Sequence, residues 1–372
     1  MTAWARVPRM SETAIPCTLM RGGTSKGPFF DAAELPMDAD TRDRVLLAVM
    51  GSPDKRQIDG IGGADPLTSK AAIVSRSDRD GVDLEFLFAQ VGIERAQVDT
   101  TPNCGNMLAA VVPFALEKGM LSAEGETTTA RVLTLNTGML CDITVQTPAG
   151  SIAAEGDCHI DGVPGSHAPV AIDFVDIAGS VCDSMLPTGN VLDEIEGIPV
   201  TCIDNGMPVV ILPASALGKT GYETRDELNA DTELKRRLEQ IRLKAGRMMG
   251  LGDVADKVVP KMTLVSPPRN GGTISTRTFI PRDCHASIGV LGAVSVATAC
   301  MLPGSMPFSM AAVPTGSAVQ LSVEHPSGEF SVDLEVVAGP DGPEVKRAAL
   351  LRTARRLFDG HVFIPSSVWA GN

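Results

Sequence analysis

The sequence of 372 residues predicts an α+β fold made of two similar halves, each a mostly β shell around one buried helix. The first observation behind this prediction is an internal repeat, in which three segments recur in the same order at an offset of 183 to 191 residues. The paired segments are residues 15–23 with 198–206, residues 70–75 with 261–266, and residues 104–110 with 291–297. Three matches in order at a nearly constant offset indicate a duplicated chain.

The second observation is a series of short segments that alternate apolar and polar residues, which is the pattern of a half-buried strand. Residues 82–88, 141–146 and 319–323 alternate in this way. The chain also contains 37 glycines and 26 prolines, which suit the many tight turns of a β-rich protein. Strands therefore make up most of each predicted half.

The third observation is a pair of segments, residues 107–116 and 290–301, that carry apolar or small side chains on every face. A helix without a polar face must be surrounded by protein, and a curled sheet would enclose it. Pro113 should kink the first helix, and Gly119 suits the position just after its end. These two segments are the predicted central helices.

Three further helices are predicted outside the shells. Residues 41–50 and 348–358 form short helical patterns, and residues 231–247 form a strongly charged one that belongs on the surface. The helix predicted at residues 348–358 leads into a final strand at residues 361–364. We expect a first half at residues 15–185, a second half at 186–345, and a C-terminal helix and strand at 346–372 that pack back on the first half. Residues before Ile15 are expected to form a loose arm.

Composition excludes several classes of function. A formal net charge of −13, with one Tyr and two Trp, argues against binding nucleic acid. No run of 18 apolar residues suggests a membrane span, and the N-terminus lacks the apolar core of a secretory signal. Eight dispersed cysteines without a CxxC motif predict free thiols, most of them buried, in a reducing cytoplasm.

Cys104 and Lys70 are the candidate catalytic residues. Cys104 stands where the first central helix should begin, and the unpaired amides at a helix start favour a thiolate. Lys70 precedes an apolar strand, and a lysine amine removed from water can serve as a base. A thiol and an amine that share one pocket could move a proton between carbon atoms. The alternatives are a buried structural cysteine and a solvated lysine at a strand end.

Two glycine-rich segments, residues 21–27 and 60–65, offer small profiles and free amides that suit oxyanions. Neither contains GxGxxG or GxxxxGK[ST], so nucleotide binding is not supported. Arg21, Thr24 and Ser25 are therefore candidates for binding a carboxylate, since arginine matches carboxylate geometry. A protein with a charge of −13 needs such local cations to bind an anionic substrate.

Two Cys-His dipeptides, at Cys158 and Cys284, raise the possibility of a zinc site, but they lack the paired ligand spacing of structural zinc. A second alternative is a hydrolase with Cys104 as nucleophile and His285 as base. We favour neither alternative. We expect no metal, and we expect His167, His325 and His361 to be structural or exposed.

Several motifs resemble the PrpF-like isomerases, which share the diaminopimelate-epimerase fold. They are Met20-Arg-Gly-Gly-Thr-Ser-Lys26, Gly60-Ile-Gly-Gly-Ala-Asp-Pro-Leu-Thr-Ser-Lys70, Asn103-Cys-Gly-Asn106, His285-Ala and Gly292-Ala. The resemblance extends from about Ile15 to Ile364. Residues 56–65, 201–210 and 268–272 are similar to a branch that isomerises 4-oxalomesaconate during bacterial breakdown of gallate, protocatechuate and lignin-derived aromatic compounds.

The resemblance implies two barrel-like β domains with the active site in the cleft between them. Amino-acid racemases of this fold use one cysteine from each half, but Leu291 stands at the second position here. In the PrpF-like branch a lysine replaces that cysteine, and Lys70 lies at the matching motif. This departure argues against racemisation and for isomerisation of an unsaturated acid.

The family therefore implies a cofactor-independent isomerase with Lys70 and Cys104 as catalytic residues and a small tricarboxylate as substrate, and a homodimer is the expected assembly. The predicted substrate-binding residues are Arg21, Gly22, Gly23, Thr24, Ser25, Ser69, Gly105, Asn106, Met107, Arg277, His285, Ser287 and Gly292. The double bond would move by an allylic or a keto–enol shift. Two other functions remain open at this point: isomerisation of another tricarboxylate such as aconitate or methylaconitate, and carboxylate binding without catalysis.

Overall fold

The computed structural model describes residues 12–101, 103–175, 177–339 and 342–371. The strands are β1 (Glu12–Gly22), β2 (Ser25–Asp31), β3 (Lys70–Arg76), β4 (Leu84–Val91), β5 (Val98–Asp99), β6 (Thr127–Thr134), β7 (Leu140–Gln146), β8 (Pro169–Val175), β9 (Asp193–Ile195), β10 (Ile198–Asp204), β11 (Pro208–Pro213), β12 (Lys261–Ser266), β13 (Ile274–Phe279), β14 (Ala318–His325), β15 (Gly328–Gly339) and β16 (Gly342–Pro365). The helices are α1 (Ala39–Met50), α2 (Gly105–Leu108), α3 (Val111–Glu117), α4 (Arg225–Ala230), α5 (Thr232–Met248) and α6 (Val290–Met301). The arm expected before Ile15 falls mostly in residues 1–11, outside the described residues.

The chain divides into two compact units. The first runs to Ile172 and also includes the chain from Arg352 onward, and the second is Asp173–Leu351. In the first unit the strand order is β1-β2-β3-β4-β6-β7-β8, and β16 flanks the series at both ends. In the second unit the order is β16-β15-β14-β13-β12-β11-β10-β9.

The two units repeat one topology. An antiparallel hairpin, β1–β2 or β10–β11, is followed by a parallel neighbour, β3 or β12, and then by an antiparallel one, β4 or β13. The next antiparallel pair is β6–β7 in the first unit and β14–β15 in the second. In both units this pair is joined to the preceding strand by a parallel pairing, β4–β6 or β13–β14. A surface helix precedes β3 and β12, and a buried helix precedes β6 and β14. The predicted α+β fold with a duplicated β shell is confirmed.

In the first unit, β3 separates two apolar layers. Ala71 and Ile73 pack with Val45 and Val49 of α1 on one face. On the other face the buried helices α2 and α3 lie against the sheet, and the rings of Phe29 and Phe114 are 5.7 Å apart between centroids. Alternation along the strand explains this division, since successive side chains point to opposite faces.

The second unit has the same two layers. The charged helix α5 begins at the N-cap Asp231, whose carboxylate accepts a hydrogen bond from the Leu234 amide. Its apolar side, including Leu238 and Ile241, packs with Met262 of β12. On the other side α6 contacts β10, β11, β14 and β15 and is buried along most of its length.

Two helix predictions need correction. Residues 348–358 form part of β16, which pairs with β15 and β1, so tertiary pairing overrides the helical preference of this segment. The helix expected at residues 107–116 is split into α2 and α3, with a break at Ala109 and Ala110. Pro113 explains the break, because it has no N–H to donate to the carbonyl of Ala109. Gly119 has φ +68°, as expected for the residue that follows this helix.

Candidate active site

Lys70 lies at the first residue of β3 with only 8% of its surface exposed. Its Nζ donates a hydrogen bond of 2.6 Å to Oε1 of Gln90 and lies 4.8 Å from the ring centroid of Phe88. The β3–β4 register pairs Lys70 with Gln90 and Ala72 with Phe88, which places both contacts on the amine's own face of the sheet. The amine is therefore held in one position by its neighbouring strand.

Gln90 is itself held in a single orientation. Its Nε2 donates to the main-chain carbonyls of Ser69 at 2.9 Å and Pro66 at 3.1 Å. These two bonds require the nitrogen on that side, so the oxygen faces Lys70 as an acceptor. Gln90 is not among the residues predicted from the sequence. One feature of the sequence could have indicated it: Gln90 is a polar residue that continues the alternate positions of Leu84, Phe86 and Phe88 along β4.

The loop before Lys70 is fixed by a buried glutamine. Gln57 donates to the hydroxyls of Ser52 and Ser69, and its Oε1 accepts from the Ala64 amide at 2.8 Å. The Ser69 hydroxyl also donates to the Val91 carbonyl at 2.8 Å, and its residue is fully buried. Ser69, which was predicted to contact substrate, thus has its hydroxyl engaged in anchoring this loop.

Cys104 is the N-cap residue of α2 and is half-buried. Its side chain makes no capping hydrogen bond, while its carbonyl accepts from the Leu108 amide at 2.9 Å. The preceding residue, Asn103, donates through Nδ2 to the hydroxyls of Thr134 and Thr137. The sulfur is therefore presented by a backbone that is held from both sides.

The turn between β1 and β2 packs directly on the start of α2. A Cβ added at Gly22 would lie 2.3 Å from the Asn106 carbonyl oxygen, and one at Gly23 would lie 2.1 Å from Asn106 Oδ1. Asn106 Nδ2 also donates to the Thr24 hydroxyl at 3.0 Å. These positions require glycine because any side chain would displace the helix start.

Gly27 joins the lysine motif to the cysteine motif. A Cβ there would lie 1.9 Å from the carbonyl oxygen of Lys70 and 3.2 Å from Cε of Met107. The structure thus brings together the segment 21–27, the first residue of β3 and the start of α2 within the first unit. Gly22, Gly23, Thr24, Asn106 and Met107 all belong to this contact, with Gly105 as the first residue of the helix.

Two buried polar atoms in this cluster have no hydrogen-bond partner among the described residues: Oγ of Ser25 and Oδ1 of Asn103. Arg21 has a third such atom, since its NH1 donates to the Gly23 carbonyl and to the carbonyl and hydroxyl of Thr353 while NH2 has no acceptor. Burial and the nearby Arg355 lower the pKa of Arg21. Buried polar groups normally find partners, so these three are available to a ligand.

The residues predicted in the second half lie in the second unit. Arg277 is buried, and it donates to the carbonyls of Glu223 at 2.7 Å and Thr276 at 2.8 Å. Nδ1 of His285 accepts from the Ser287 amide at 3.0 Å, and the Ser287 hydroxyl lies 3.1 Å from His325 Nε2.

Gly292 of the second unit lies in the first turn of α6, where an added Cβ would meet nothing closer than 3.7 Å. The pKa of His285, in the same unit, is lowered chiefly by removal of the ring from water.

A surface pocket of about 690 Å³ in the second unit is lined by Thr220, Tyr222, Glu223, Glu227 and Arg269. None of the predicted site residues lines it. Its carboxylates serve the local backbone: that of Glu223 accepts from the amides of Thr220 and Gly221, and that of Glu227 completes the capping box of α4. We therefore assign no function to this pocket.

Two negative findings concern the described residues. No helix among them has the length and apolar character needed to span a bilayer. No group of three or more His, Cys, Asp or Glu residues among them is arranged to hold a metal ion. All eight cysteines are described, and none of them forms a disulfide bond.

Comparison with known proteins gives a family match over most of the chain. Residues 12–365 match the model of the family described as PrpF protein. A (4E)-oxalomesaconate Delta-isomerase from Novosphingobium sp. (strain KA1) is 56% identical over 349 residues, which are 94% of this chain and 97% of that protein. A 4-oxalomesaconate tautomerase from Pseudomonas putida is 56% identical over 362 residues, covering 97% and 99%.

A solved structure also matches at full length. A methylitaconate-delta-isomerase superimposes with a TM-score of 0.86 at 34% sequence identity, and the match covers 96% of this chain and 97% of the other. Two of these three proteins are named as isomerases and the third as a tautomerase. Their names differ in the acid they act on and in the kind of double-bond shift.

Proposed function

The chain belongs to the PrpF family, and we propose that it isomerises 4-oxalomesaconate by moving one proton and one double bond, without a cofactor. Two relatives that are 56% identical over nearly their whole length are named for this substrate. The motif resemblance described above supports a role in bacterial catabolism of aromatic compounds. None of the eight cysteines forms a disulfide, which supports a cytoplasmic location, and a homodimer is part of the same proposal.

The observation that carries this proposal is the contact at Gly27. The backbone of Lys70 and the side chain of Met107 both lie against this glycine, so the candidate base and the helix start that bears Cys104 belong to one cluster. The partnerless atoms of Arg21, Ser25 and Asn103 lie in the same motifs. A site with an amine, a thiol and free donors has what an acid–base isomerase requires.

The proposed chemistry balances without an external reagent. The neutral amine of Lys70 takes a proton from the methylene carbon, so a C–H bond breaks, an N–H bond forms, and the electron pair enters the conjugated carbonyl as a dienolate. Cys104 then gives its S–H proton to another carbon of the conjugated system. The ammonium and the thiolate exchange a proton through solvent to restore the starting state. The reverse assignment of the two residues balances equally well.

Substrate charge would be held by the first unit's free donors. NH2 of Arg21 and the hydroxyl of Ser25 can donate to carboxylate oxygens, and charge-assisted bonds of this kind are the stronger ones. Donors already in place when the dienolate forms stabilise it without reorganisation. We therefore propose that Arg21 and Ser25 bind the reacting end of the substrate.

The test is NMR of oxalomesaconate with the purified protein in D₂O. The wild type should isomerise the substrate and place deuterium in both product and recovered substrate. Lys70→Met and Cys104→Ser should each lower turnover by roughly 10²–10⁴-fold, and loss of only one exchange in either variant would assign the two roles. Lys55→Met and Cys158→Ser are matched controls in the same unit and should behave as the wild type. Full turnover in both catalytic variants would refute the mechanism.

The similarity to a methylitaconate-delta-isomerase supports a second candidate, isomerisation of another unsaturated acid such as aconitate or methylaconitate. A panel of these acids in the same assay separates the candidates by kcat/KM. Tight binding of oxalomesaconate without any carbon-bound deuterium would instead indicate a carboxylate-binding protein without catalytic activity.

A further inference from the structure

The turn between β6 and β7, residues 135–139, is bound both to the strand that holds Lys70 and to the segment that leads to Cys104. Asn136, a half-buried residue of this turn, makes both connections with its carboxamide. Asn136 was not predicted from the sequence, and the proposed acid–base chemistry does not use it. Its role follows from the hydrogen bonds of that one side chain.

Asn136 completes the sheet at Phe88. Strand β4 pairs with β3 along one edge, and along the other edge it pairs with β6 at residues 84–86 and with β5 at residues 90–91. Phe88 falls between these last two pairings. Its amide donates to Asn136 Oδ1 at 2.9 Å, and its carbonyl accepts from Asn136 Nδ2 at 2.9 Å. The side chain thus pairs with Phe88 as a neighbouring strand would, and the Phe88 ring is the one that lies 4.8 Å from Nζ of Lys70.

The same carboxamide holds the segment before α2. Nδ2 of Asn136 donates a further bond, at 2.6 Å, to the carbonyl of Thr100, four residues before Cys104. Because the Phe88 amide can bond only to the oxygen of the carboxamide, the nitrogen must face the carbonyls of Phe88 and Thr100. The orientation of Asn136 is therefore fixed, and its three bonds connect β4 with the segment that follows β5.

The turn makes a second connection to this segment at Asn103. Nδ2 of Asn103 donates to the hydroxyls of Thr134 and Thr137. Thr134 is 1% exposed, and its hydroxyl donates to the Met139 carbonyl at 3.1 Å. The next residue is Cys104, whose side chain makes no capping bond. The position of the thiol therefore depends on how the turn holds the backbone before it.

The second unit joins the corresponding parts with different atoms. Thr278 lies at the place of Phe88 in the strand register. Its carbonyl accepts directly from the His285 amide at 2.8 Å. The hydroxyl of Ser327, in the turn between β14 and β15, donates to the Ala286 carbonyl at 2.8 Å. In both units the segment before the buried helix is thus bound to the sheet at this point. The first unit makes the connection through a carboxamide, so a single substitution can release it.

We propose that Asn136 is a positioning residue that fixes the segment bearing Cys104 relative to the strand that holds Lys70. We call its three bonds to Phe88 and Thr100 the Asn136 clamp. The clamp restricts movement of the thiol relative to the amine, and a misplacement of about 1 Å between reacting groups can lower a rate by roughly 10²-fold. The effect on the isomerisation rate rests on the proposed function, whereas the clamp itself does not.

The test compares Asn136→Ala with Thr147→Val, a matched control at the other end of the β6–β7 hairpin. Thr147 is fully buried, and its hydroxyl bonds to that of Thr128 at 2.9 Å and to the Gly125 carbonyl at 3.1 Å, so its loss also destabilises the first unit. Hydrogen–deuterium exchange of the peptide 103–110 should be at least about tenfold faster in Asn136→Ala, because local opening becomes easier. Thr147→Val should leave exchange of this peptide unchanged.

The kinetic part of the test uses oxalomesaconate at a temperature below the unfolding transitions of all variants. Asn136→Ala should lower kcat by roughly 10²-fold with a smaller change in KM, while Thr147→Val keeps the kcat of the wild type. Asn136→Asp retains the acceptor for the Phe88 amide but loses both donated bonds, so it should resemble Asn136→Ala. It replaces the Ala variant should the latter not fold.

The outcomes separate this proposal from the proposed function. Wild-type exchange of peptide 103–110 in Asn136→Ala overturns the clamp, and faster exchange with a wild-type kcat overturns the positioning role. Equal losses of kcat in Asn136→Ala and Thr147→Val overturn it as well, since general destabilisation would then explain both. Should exchange be faster in Asn136→Ala while the wild type leaves oxalomesaconate unchanged, the proposed function fails and the clamp stands.

Discussion

The hydrogen bond from Lys70 to Gln90 predicts that Gln90 positions the base. In Gln90→Leu the neutral amine loses its acceptor at 2.6 Å, and a hydrogen bond between neutral groups contributes about 0.5–1.5 kcal/mol, or roughly 2- to 13-fold in kcat/KM. The cost to folding should be similar, about 1 kcal/mol, because the Ser69 carbonyl still accepts from the Val91 amide at 3.0 Å. Steady-state kinetics and urea unfolding of the same variant measure the two effects separately.

A merely structural role for Gln90 would not change the pH dependence of the rate. Gln90→Glu places a carboxylate beside the amine and stabilises the ammonium, so the acidic limb of the pH–rate profile should move to higher pH. Gln320→Leu removes an exposed glutamine from β14 and serves as the control. Unchanged kcat/KM in Gln90→Leu, or an unmoved acidic limb in Gln90→Glu, would refute the reasoning.

Three further predictions concern stability and packing. Because the folded pKa of Lys261, about 8, lies below the unfolded value near 10.5, the unfolded chain binds the extra proton between these limits. The free energy of unfolding of the wild type should therefore rise by about 3 kcal/mol relative to that of Lys261→Met between pH 8 and 10.5. A difference that stays constant with pH in urea unfolding contradicts this. Glu324→Gln should cost about 2–3 kcal/mol in thermal unfolding, since the buried Glu324 carboxylate accepts three main-chain amides, while the exposed Glu344→Gln should cost nothing. Gly27→Ala should abolish activity and destabilise the first unit. Gly289→Ala should do neither, because a Cβ added at Gly289 meets no atom within 4 Å. An active Gly27→Ala would show that the cluster tolerates displacement.

The elements that depend on local pattern could be predicted from the sequence. The helix at residues 290–301 has the predicted bounds, because its run of apolar and small residues begins after Gly289 and ends just before Pro303. The duplication was predictable from three short matches. Residues 348–358 were not, since their helical preference is outweighed by strands that are distant in the sequence.

The candidate site was predictable only in part. Motif residues such as Lys70 and Cys104 carry their chemistry in their side chains, so the sequence alone suggests them as candidates. The role of Gln90 depends on register, because only the pairing of β3 with β4 places its carboxamide opposite the amine. The hydrogen bond from Gln57 to the Ser69 hydroxyl could not be predicted either, because it depends on a left-handed turn at Gln57, where φ is +47°.

Strand β16 has a consequence for how the protein is made. It begins in the second unit and ends in the first, where it pairs with β1 from Glu12 to Gly22. On the ribosome, β1 must therefore wait until residues 354–365 have been synthesised before it finds that partner. The second unit, which is contiguous in the chain, can finish first, so the first unit is completed later although its synthesis begins earlier. Until then β1 is an unprotected edge, and a nascent chain halted before residue 352 is exposed to edge-to-edge aggregation.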